Sequence, residues 1–476
     1  MAEKVTFNID KEKNFSEWYT EILDKAEITD IRYNVKGFVV IRPLGAEIIE
    51  QIYQMWEAEL KSKGHKPCIF PAIIPEKNFK KESSHVEGFS PDVFWLEETG
   101  EGKLALRPTS ETAFYQLYSL WIRSWRDLPL KLYQRANVFR LETKATRPLI
   151  RAREFFWIES HDAFSSKEQA EAQVQEDILI TENLMHQKLG IPFLPLKRPF
   201  WDKFPGAEYT IGSDVLMPDG KVIQQPSTHL LNQGFAKSFD VKFKDDKGKE
   251  NYVWQTCYGP AMSRILASLI AIHGDNSGLI VPFSISPVQV IIVPIYKTEN
   301  KDKIMKKAEE IKKELEKEKI TAEIDDSDKK PGEKFYYWEM RGIPLRIEIG
   351  EKEIKEKLTI FLRDKKERVK GEVKDIRKLG EEMDKRLREK ADKEFKKSIE
   401  DCKNKKEIEK ALENKKIARC NFCSIEKQGE KCAEAIEKEL GAFVRGVRHD
   451  KKEKPTGKCI ICNKRANEVV YIARSY

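Results

Sequence analysis

The segment YQRANVFRLETKATRPLIRAREFFWIESHDAF, residues 133–164, decides the fold that the sequence predicts. One apolar run ends at Val138 and Phe139, and a second run, 155–158, is rich in residues that favour strands. The pattern therefore predicts a strand, a loop and a second strand. A guanidinium offers paired donors in one plane, which suits phosphate oxygens, so the hairpin predicts a nucleoside triphosphate site. The charged side chains that suggest this site are Arg140, Glu142, Arg147, Arg151, Arg153 and Glu159.

FRLE (139–142) and TRPLIRAREFFWIESH (146–161) resemble the second signature motif of class II aminoacyl-tRNA synthetases, in the form found in prolyl-tRNA synthetases. The resemblance implies that Arg140 bridges the proline carboxylate and the α-phosphate of ATP. It places Phe155 against adenine, with Glu142 near the adenine amino group. Arg151 then meets the outer phosphates, and Ala152 also borders ATP. The alternative for this hairpin is a surface loop of solvated charges.

Composition limits the class of protein. The chain has 476 residues, of which 40% are hydrophobic and 35% charged, with a net charge of +8. That length predicts two to four domains, and the small charge excess means that a nucleic-acid surface must be a local patch. Neither a secretory signal nor an apolar run of roughly 20 residues is found, which predicts a soluble, cytoplasmic protein without a membrane partner.

Residues 37–64 predict a strand, a break at Pro43 and a helix with one apolar side that ends near Gly64. An ordinary helix packed on the core would show the same pattern of apolar residues. The order of strand, proline and helix resembles the first class II motif, which implies a homodimer.

RPTSE, residues 107–111, precedes another predicted helix. The hydroxyl of Thr109 and the carboxylate of Glu111 could accept hydrogen bonds from an ammonium group, or they could simply cap the helix. The resemblance favours the first interpretation, because this loop holds the nitrogen of proline in the family.

Alternating residues and a PDG turn in 201–239 predict a hairpin followed by Gln224, Ser227 and His229. These three residues resemble the family strand that lines the amino-acid pocket and touches ATP. Pro226 and Ser227 depart from the usual Q-x-G-T-x-H, which leaves the contacts of this turn open. His229, Trp157 and Cys257 complete the predicted proline pocket.

Gly259 and Pro260 follow a strand and open an apolar helix that carries Arg264 just over one turn in. A glycine allows close approach of a ligand, and an arginine near a helix N-terminus suits phosphate. The segment resembles the third class II motif, which makes Arg140 and Arg264 the predicted catalytic residues and Gly259 an ATP neighbour. Only about one hundred residues separate this motif from the second, so the inserted editing domain of the bacterial form is not expected. Misactivation of alanine or cysteine is therefore a hypothesis.

From Ser286 onward, strands alternate with helices and predict an α/β domain with a partly parallel sheet. The pattern resembles the class II anticodon-binding domain. It implies that Glu339 helps to read anticodon guanines, whose edge offers N–H donors. Arg363 is predicted to touch backbone phosphates.

Five of the eight cysteines crowd the last sixty residues, which in an intracellular chain indicates a metal site. Cys459-x-x-Cys462 has zinc spacing, and by spacing alone Cys420-x-x-Cys423 would be the better second pair. The resemblance implies Cys423 and Cys432 instead, with Cys420 as a possible substitute for either. Four thiolates would make the Zn²⁺ structural. In the archaeal-type family the last tyrosine, here Tyr476, turns back toward the active site.

Together these patterns predict an α+β protein: an antiparallel class II catalytic domain (1–284), an α/β anticodon-binding domain (285–385) and a small zinc-binding α+β domain (386–476). The predicted activity is the ATP- and Mg²⁺-dependent joining of proline to tRNA(Pro). Two other hypotheses remain. One is a sister enzyme for threonine, glycine or histidine, and the other is an RNA-binding paralogue without activity.

Overall fold

A computed structural model describes residues 7–83, 93–96, 102–142 and 145–476. In the first 284 residues, helices surround a mainly antiparallel sheet whose central strands run in the order β8-β9-β10-β13-β7-β6. The predicted antiparallel catalytic fold is confirmed. The helices are α1 Phe15–Lys25, α2 Pro43–Ser62, α3 Glu76–Ser83, α4 Glu111–Trp121, α5 Lys167–Thr181, α6 Gly234–Phe239 and α7 Met262–His273, with a π-helix at Glu182–Lys188. The strands are β1 Thr29–Asp30, β2 Val40–Ile41, β3 Lys66–Pro67, β4 Ile73–Pro75, β5 Leu104–Leu106, β6 Leu130–Phe139, β7 Glu154–Phe164, β8 Leu194–Lys197, β9 Tyr209–Leu216, β10 Lys221–Asn232, β11 Lys242–Lys244, β12 Glu250–Tyr252 and β13 Trp254–Gly259.

The hairpin of β6 and β7 forms ten antiparallel pairs, from Leu130–Ala163 to Phe139–Glu154. Successive side chains of a strand point to opposite faces, so alternate residues of β7 share one side of the sheet. Strand β13 pairs with β7 on one edge and with β10 on the other. The second and third sequence motifs therefore lie side by side although about one hundred residues separate them.

The next segment is an α/β unit with a five-stranded sheet in the order β15-β14-β16-β17-β18. The β14 strand pairs in parallel with β15 and β16, and the last two strands are antiparallel, which confirms the partly parallel sheet. Its elements are β14 Val290–Pro294, α8 Lys301–Lys317, β15 Ala322–Ile324, α9 Pro331–Met340, β16 Leu345–Ile349, β17 Leu358–Leu362, β18 Glu367–Gly371 and α10 Ile376–Lys397. Helix α10 runs across the boundary predicted at residue 385.

The C-terminal segment extends the catalytic sheet. Strand β21 pairs with β8, as in Val447–Lys197, so eleven strands form one continuous sheet. The last strand, β22, also meets β10 in parallel at Lys221–Arg474. The segment contains β19 Ile399–Asp401, α11 Lys405–Glu413, β20 Ile417–Phe422, α12 Glu430–Leu440, β21 Phe443–Arg448 and β22 Glu468–Ser475.

A buried ion cluster joins the C-terminal strands of this sheet to its catalytic strands. Asp214 on β9 accepts hydrogen bonds from Arg198 and, at 2.7 Å, from the Nε of Arg445 on β21. Burial raises the pKa of the Asp214 carboxyl group. The two guanidinium groups outweigh this effect and hold that pKa at about 2. The carboxylate therefore stabilises the fold above its unfolded pKa, and this contribution is lost as the pH falls from about 4 through 2.

Asp214→Asn is expected to lower the free energy of unfolding at pH 7 by about 3–5 kcal/mol, because it leaves two buried guanidinium groups without their anion. Denaturant titration measures the loss, which should shrink as the pH approaches 2. Asp202→Asn is the matched control: its carboxylate lies 3.6 Å from Arg445 but is 43% exposed, and about 1 kcal/mol or less is expected. Equal losses in the two variants would contradict this account.

Candidate active site

A cleft of about 150 Å³ opens on the face of the sheet formed by β7, β10 and β13, beside the start of α4. The sheet supplies a rigid floor, and alternate strand residues supply the side chains that face the cleft. Most of the residues predicted for proline and ATP line it. They are Thr109, Glu111, Arg140, Phe155, Trp157, Gln224, Ser227, His229, Cys257, Gly259 and Arg264.

Two of the predicted arginines converge in this cleft. Arg140 follows the last residue of β6, and its Nε donates to the carbonyl of Pro108 at 3.2 Å. Its guanidinium lies 5.0 Å from the ring centroid of Phe155. Arg264 donates from Nε to the carbonyl of Ile150 and from Nη1 to that of Gln224, both at 3.1 Å. These main-chain bonds fix the two side chains without neutralising their charges.

The electrostatics favour a bound anion. Burial, followed by the positive charges of Arg140 and Arg151, lowers the pKa of Arg264 to about 10. Arg264 lies in the first turn of α7, which begins at Met262, two residues later than the prediction from Gly259 and Pro260. The helix N-terminus adds further positive potential at this point. A polyphosphate would meet concentrated positive charge.

Arg151 lies beside the cleft rather than in its lining. Its Nη2 donates to the main-chain oxygen of Tyr476 at 2.6 Å, and its Nη1 lies 3.5 Å from a carboxylate oxygen of Glu142. Arg147, Arg151 and Tyr476 border a neighbouring cavity of about 430 Å³. Ala152 and Glu142 line neither space, so their predicted contacts with ATP stay predictions.

Tyr476, the last residue of the sequence, is held by side-chain and main-chain contacts. The Oη of Tyr476 donates to Asp219 at 2.8 Å, and the guanidinium of Arg147 lies 5.6 Å from its ring centroid. Together with the bond from Arg151, these contacts place Tyr476 against the second motif. A frayed tail, the ordinary state of a terminus, is not what the structure shows.

Thr109 and Glu111 occupy the start of α4 but do not cap it. The N-cap is Ser110, and its side chain makes no capping bond. Instead the hydroxyl of Thr109 donates to Glu111, and the hydroxyl of Ser110 donates to Glu159. Both predicted residues are buried and line the cleft, so a carboxylate and a hydroxyl oxygen face the space where an ammonium group would bind.

His229 is held between two hydroxyl groups. Its Nδ1 lies 2.8 Å from the Oγ1 of Thr210, and its Nε2 lies 3.0 Å from the Oγ of Ser227. Burial, with the nearby charge of Arg198, lowers the pKa of His229 to about 3, so the imidazole is neutral at pH 7. The register of β9 and β10 shifts between Gln224 and Ser227, where the sequence departs from the family pattern.

Sequence reasoning assigned no ligand contact to six residues of the cleft, of which Glu159 and His161 lie on β7. Phe155, Trp157, Glu159 and His161 alternate along the strand and all line the cleft. The alternation of side chains along a strand could have identified Glu159 and His161. Phe155 and Trp157 were already assigned to the site, and every second residue of a strand lies on the same face of the sheet. The remaining missed residues are Phe204, Gln225, Tyr258 and Ala261.

Gly259 is needed for close packing against the cleft wall. A Cβ at this position would lie 3.2 Å from a ring carbon of Trp157, tighter than ordinary contact distance. The glycine therefore lets β13 approach the Trp157 ring, as expected for a backbone position beside a ligand.

The C-terminal cysteines converge as the resemblance implied. One sulfur from each of Cys423, Cys432, Cys459 and Cys462 lies within 4.8 Å of the others. Cys420 does not belong to this group. It is buried on β20, opposite Val470 of β22, and packs in the apolar core of the domain. Four thiols at this separation fit a tetrahedral Zn²⁺ site.

The structure corrects the role predicted for Arg363. This side chain is fully buried, and its Nη1 and Nη2 donate to Asp275 at 3.0 and 2.7 Å. Its Nε donates to the main-chain oxygen of Glu339 at 3.0 Å. Arg363 therefore ties the α/β unit to the end of α7 and does not present its guanidinium to RNA phosphates. Glu339 lies half-buried near the end of α9, far along the chain from the cleft.

Three family models match consecutive parts of the chain. "tRNA synthetase class II core domain (G, H, P, S and T)" matches residues 94–273, "Anticodon binding domain" matches 289–382, and "Prolyl-tRNA synthetase, C-terminal" matches 405–476. The fold and the cleft are those of a class II aminoacyl-tRNA synthetase.

Whole-chain comparisons narrow the class. The proline–tRNA ligase of Thermofilum pendens is 48% identical, over 98% of this chain and 98% of its own. The proline–tRNA ligase of Methanopyrus kandleri is 43% identical, over 97% of this chain and 96% of its own length. The solved Giardia lamblia prolyl-tRNA synthetase in complex with prolyl-adenylate has a TM-score of 0.94 and 36% identity, with 99% and 100% coverage. The chain belongs to the prolyl-tRNA synthetase family. Among the residues described, no helix could span a membrane.

Proposed function

We propose that the cleft between β7, β10 and β13 binds proline and ATP and carries out the first step of prolyl-tRNA synthesis. A carboxylate oxygen of proline attacks the α-phosphorus of ATP, the bond to the β-phosphate breaks, and prolyl-adenylate and pyrophosphate form. A ribose hydroxyl at the 3′ end of tRNA then attacks the prolyl carbonyl carbon and AMP leaves. The substrates supply both nucleophiles, so the protein aligns them and neutralises charge.

The arrangement of Arg140 and Arg264 carries this proposal. Two half-buried guanidinium groups face one cleft, beside the Phe155 ring that offers a surface for adenine. Arg140 bridges the reacting carboxylate and the α-phosphate, and Arg264 binds the outer phosphates with Arg151. Gln224, Ser227 and Gly259 border the nucleotide, as do Glu142 and Ala152. Solved relatives with prolyl-adenylate, or with halofuginone and AMPPNP (Cryptosporidium parvum, 33% identical, TM-score 0.91), support ATP as the substrate. Mg²⁺ accompanies the triphosphate.

The proline pocket is the other half of the cleft. Thr109 and Glu111 accept hydrogen bonds from the ammonium group of the imino acid, and Glu111 supplies the opposite charge. Trp157 and Cys257 line the pocket beside the ring, and neutral His229 adds a polar wall without a competing positive charge.

Pyrophosphate exchange with each of the twenty amino acids tests the assignment. Strong exchange with proline is expected. A sister enzyme would exchange threonine, glycine or histidine instead, and an RNA-binding paralogue would show no exchange with any of them. Either outcome would overturn the proposal.

The same assay tests the hypothesis of misactivation. An apolar pocket discriminates by only about 10- to 200-fold for each methylene that an amino acid lacks, and alanine lacks two of the ring methylenes of proline. Measurable exchange with alanine or cysteine is therefore expected, at a small fraction of the rate with proline. Exchange undetectable with both would show that the pocket discriminates by other means.

Zinc at the four-cysteine cluster is proposed as a structural ion. Cys423→Ser is expected to abolish zinc binding at this cluster and to lower the thermal midpoint of the C-terminal segment, because structural zinc contributes directly to folding. Cys420→Ser is the matched control, since its sulfur lies outside the cluster, and zinc should be retained. Zinc content by elemental analysis distinguishes the two. Loss with Cys420→Ser and retention with Cys423→Ser would reverse the assignment.

The remaining partners follow from the domains. The anticodon-binding domain contacts tRNA(Pro), with Glu339 available to guanine. A homodimer is favoured by exposed apolar side chains in the catalytic region, among them Ile69, which is 96% exposed, and Trp121. Sedimentation of the full chain at micromolar concentration should give twice the monomer mass. As an enzyme of translation, the protein acts in the cytoplasm.

A further inference from the structure

The amino-acid pocket contains three side chains that commonly bind metals. Glu111, His161 and Cys257 each offer one ligand atom, and these atoms lie within 4.8 Å of one another. They come from the first turn of α4 and from two adjacent strands, where His161 and Cys257 are direct cross-strand partners. All three are buried and border the cleft. None belongs to the four-cysteine cluster, and the proline chemistry proposed above does not require His161.

The imidazole is oriented as it is in metal sites. The Nε2 of His161 lies 3.1 Å from a carboxylate oxygen of Glu159. Glu159 is itself fixed by the main-chain N–H of Ser110 at 3.1 Å and the Nε2 of Gln134 at 2.7 Å. A carboxylate that binds one ring nitrogen holds the other ready for a metal. The free nitrogen, Nδ1, has only a 3.4 Å contact with the hydroxyl of Tyr115.

The set of donors selects the ion. A thiolate, an imidazole and a carboxylate suit a cation of borderline softness, and three protein ligands are typical of Zn²⁺ sites that keep a fourth position for water or a ligand. Thr109 donates to one oxygen of Glu111 and leaves the other oxygen free. All three side chains line the cleft in which, under the proposed function, the amine and carboxylate of an amino acid also bind.

We propose that Glu111, His161 and Cys257 bind a Zn²⁺ ion in the amino-acid pocket, and that this ion excludes proline. The exclusion rests on the proposed function, because it requires that Glu111 bind the ammonium group of proline. One carboxylate cannot serve the metal and the ammonium group at once. The site is thus inhibitory and exchangeable, unlike the closed four-cysteine cluster.

The full chain is dialysed against buffered free Zn²⁺, and the number of zinc ions bound per chain tests whether the proposed site binds the metal. Two ions per chain are expected for the unmodified protein and one for Cys257→Ser. Cys68→Ser is the matched control: its half-buried thiol donates to the carbonyl of Tyr133 outside the cleft, and two ions should remain. One ion in the unmodified chain, or two in Cys257→Ser, would overturn the proposal.

A second measurement needs no variant, so it stands even if Cys257→Ser fails to fold. L-proline should reduce the count from two ions to one. D-proline is the control, because enantiomers chelate free zinc equally and differ only in the pocket. In pyrophosphate exchange, the apparent KM for proline should rise about tenfold when free Zn²⁺ is about ten times its dissociation constant, with kcat unchanged. Equal displacement by both enantiomers, or a fall in kcat alone, would overturn the exclusion. If two ions bind but no proline-dependent exchange occurs, the proposed function fails and the metal site stands.

Discussion

Arg140→Ala is expected to reduce proline-dependent pyrophosphate exchange by about three orders of magnitude, because removal of one preorganised donor to developing charge costs about that much. In the proposed function, Arg140 lies where the carboxylate and the α-phosphate, both anions, must approach each other. Its two-pronged guanidinium can bind both at once, whereas an ammonium group is a point charge. Arg140→Lys should therefore recover only a small part of the lost rate. Initial rates of exchange at saturating ATP give the comparison.

Arg135→Ala is the matched control for this prediction. Arg135 lies on the same strand but is exposed, and it pairs with Glu50 and Glu57 at 2.8 and 2.7 Å. Its loss should change the exchange rate by less than about twofold, since exposed ion pairs contribute little. Thermal unfolding of both variants separates a loss of chemistry from a loss of fold. Exchange by Arg140→Ala at a rate close to that of Arg135→Ala would remove Arg140 from the mechanism.

Glu111→Gln is expected to raise the KM for proline about 100-fold, since a hydrogen bond to a charged group contributes roughly 1.5–3 kcal/mol. The amide keeps the shape of the side chain and removes its charge. The ammonium group of proline then enters a buried site without its counter-ion. The KM for ATP should change by less than about twofold, because the lost interaction concerns only the amino acid.

Glu154→Gln serves as the control for the change at Glu111. Glu154 begins β7 and accepts a hydrogen bond from Asn137 at 2.9 Å, on the face of the strand opposite the cleft. Neither KM should change in this variant. A rise in the KM for ATP with Glu111→Gln, with proline unaffected, would assign the carboxylate to the nucleotide and contradict the proposed pocket.

The strands and the helix that form the catalytic cleft could be predicted because short segments of sequence specify them. The apolar runs on either side of the Arg140 loop fix two strands, and a glycine and proline before Arg264 fix the start of a helix within two residues. His161 was missed, and Glu159 was named without a contact of its own, although the same strand alternation includes both. A histidine among apolar residues is more often structural, and only the folded sheet shows that it faces a cleft.

The wrong assignment of Arg363, and the features that the sequence left open, depend on pairings that no local pattern contains. Arg363 looked like a free basic side chain, but Asp275, 88 residues earlier, occupies its guanidinium. Cys420 has better zinc spacing than Cys432, yet β20 directs it into an apolar core while α12 brings Cys432 to the cluster. The joining of β21 to β8 across some 250 residues is likewise a property of the folded chain.

A crystal structure of the full chain with a nonhydrolysable sulfamoyl analogue of prolyl-adenylate tests the central claim most directly. The prolyl nitrogen is expected within hydrogen-bond distance of Thr109 and Glu111, the sulfamoyl group at Arg140, and adenine against Phe155. An analogue bound outside the cleft, or bound there with Arg140 turned away and the prolyl ring remote from Glu111, would contradict the account.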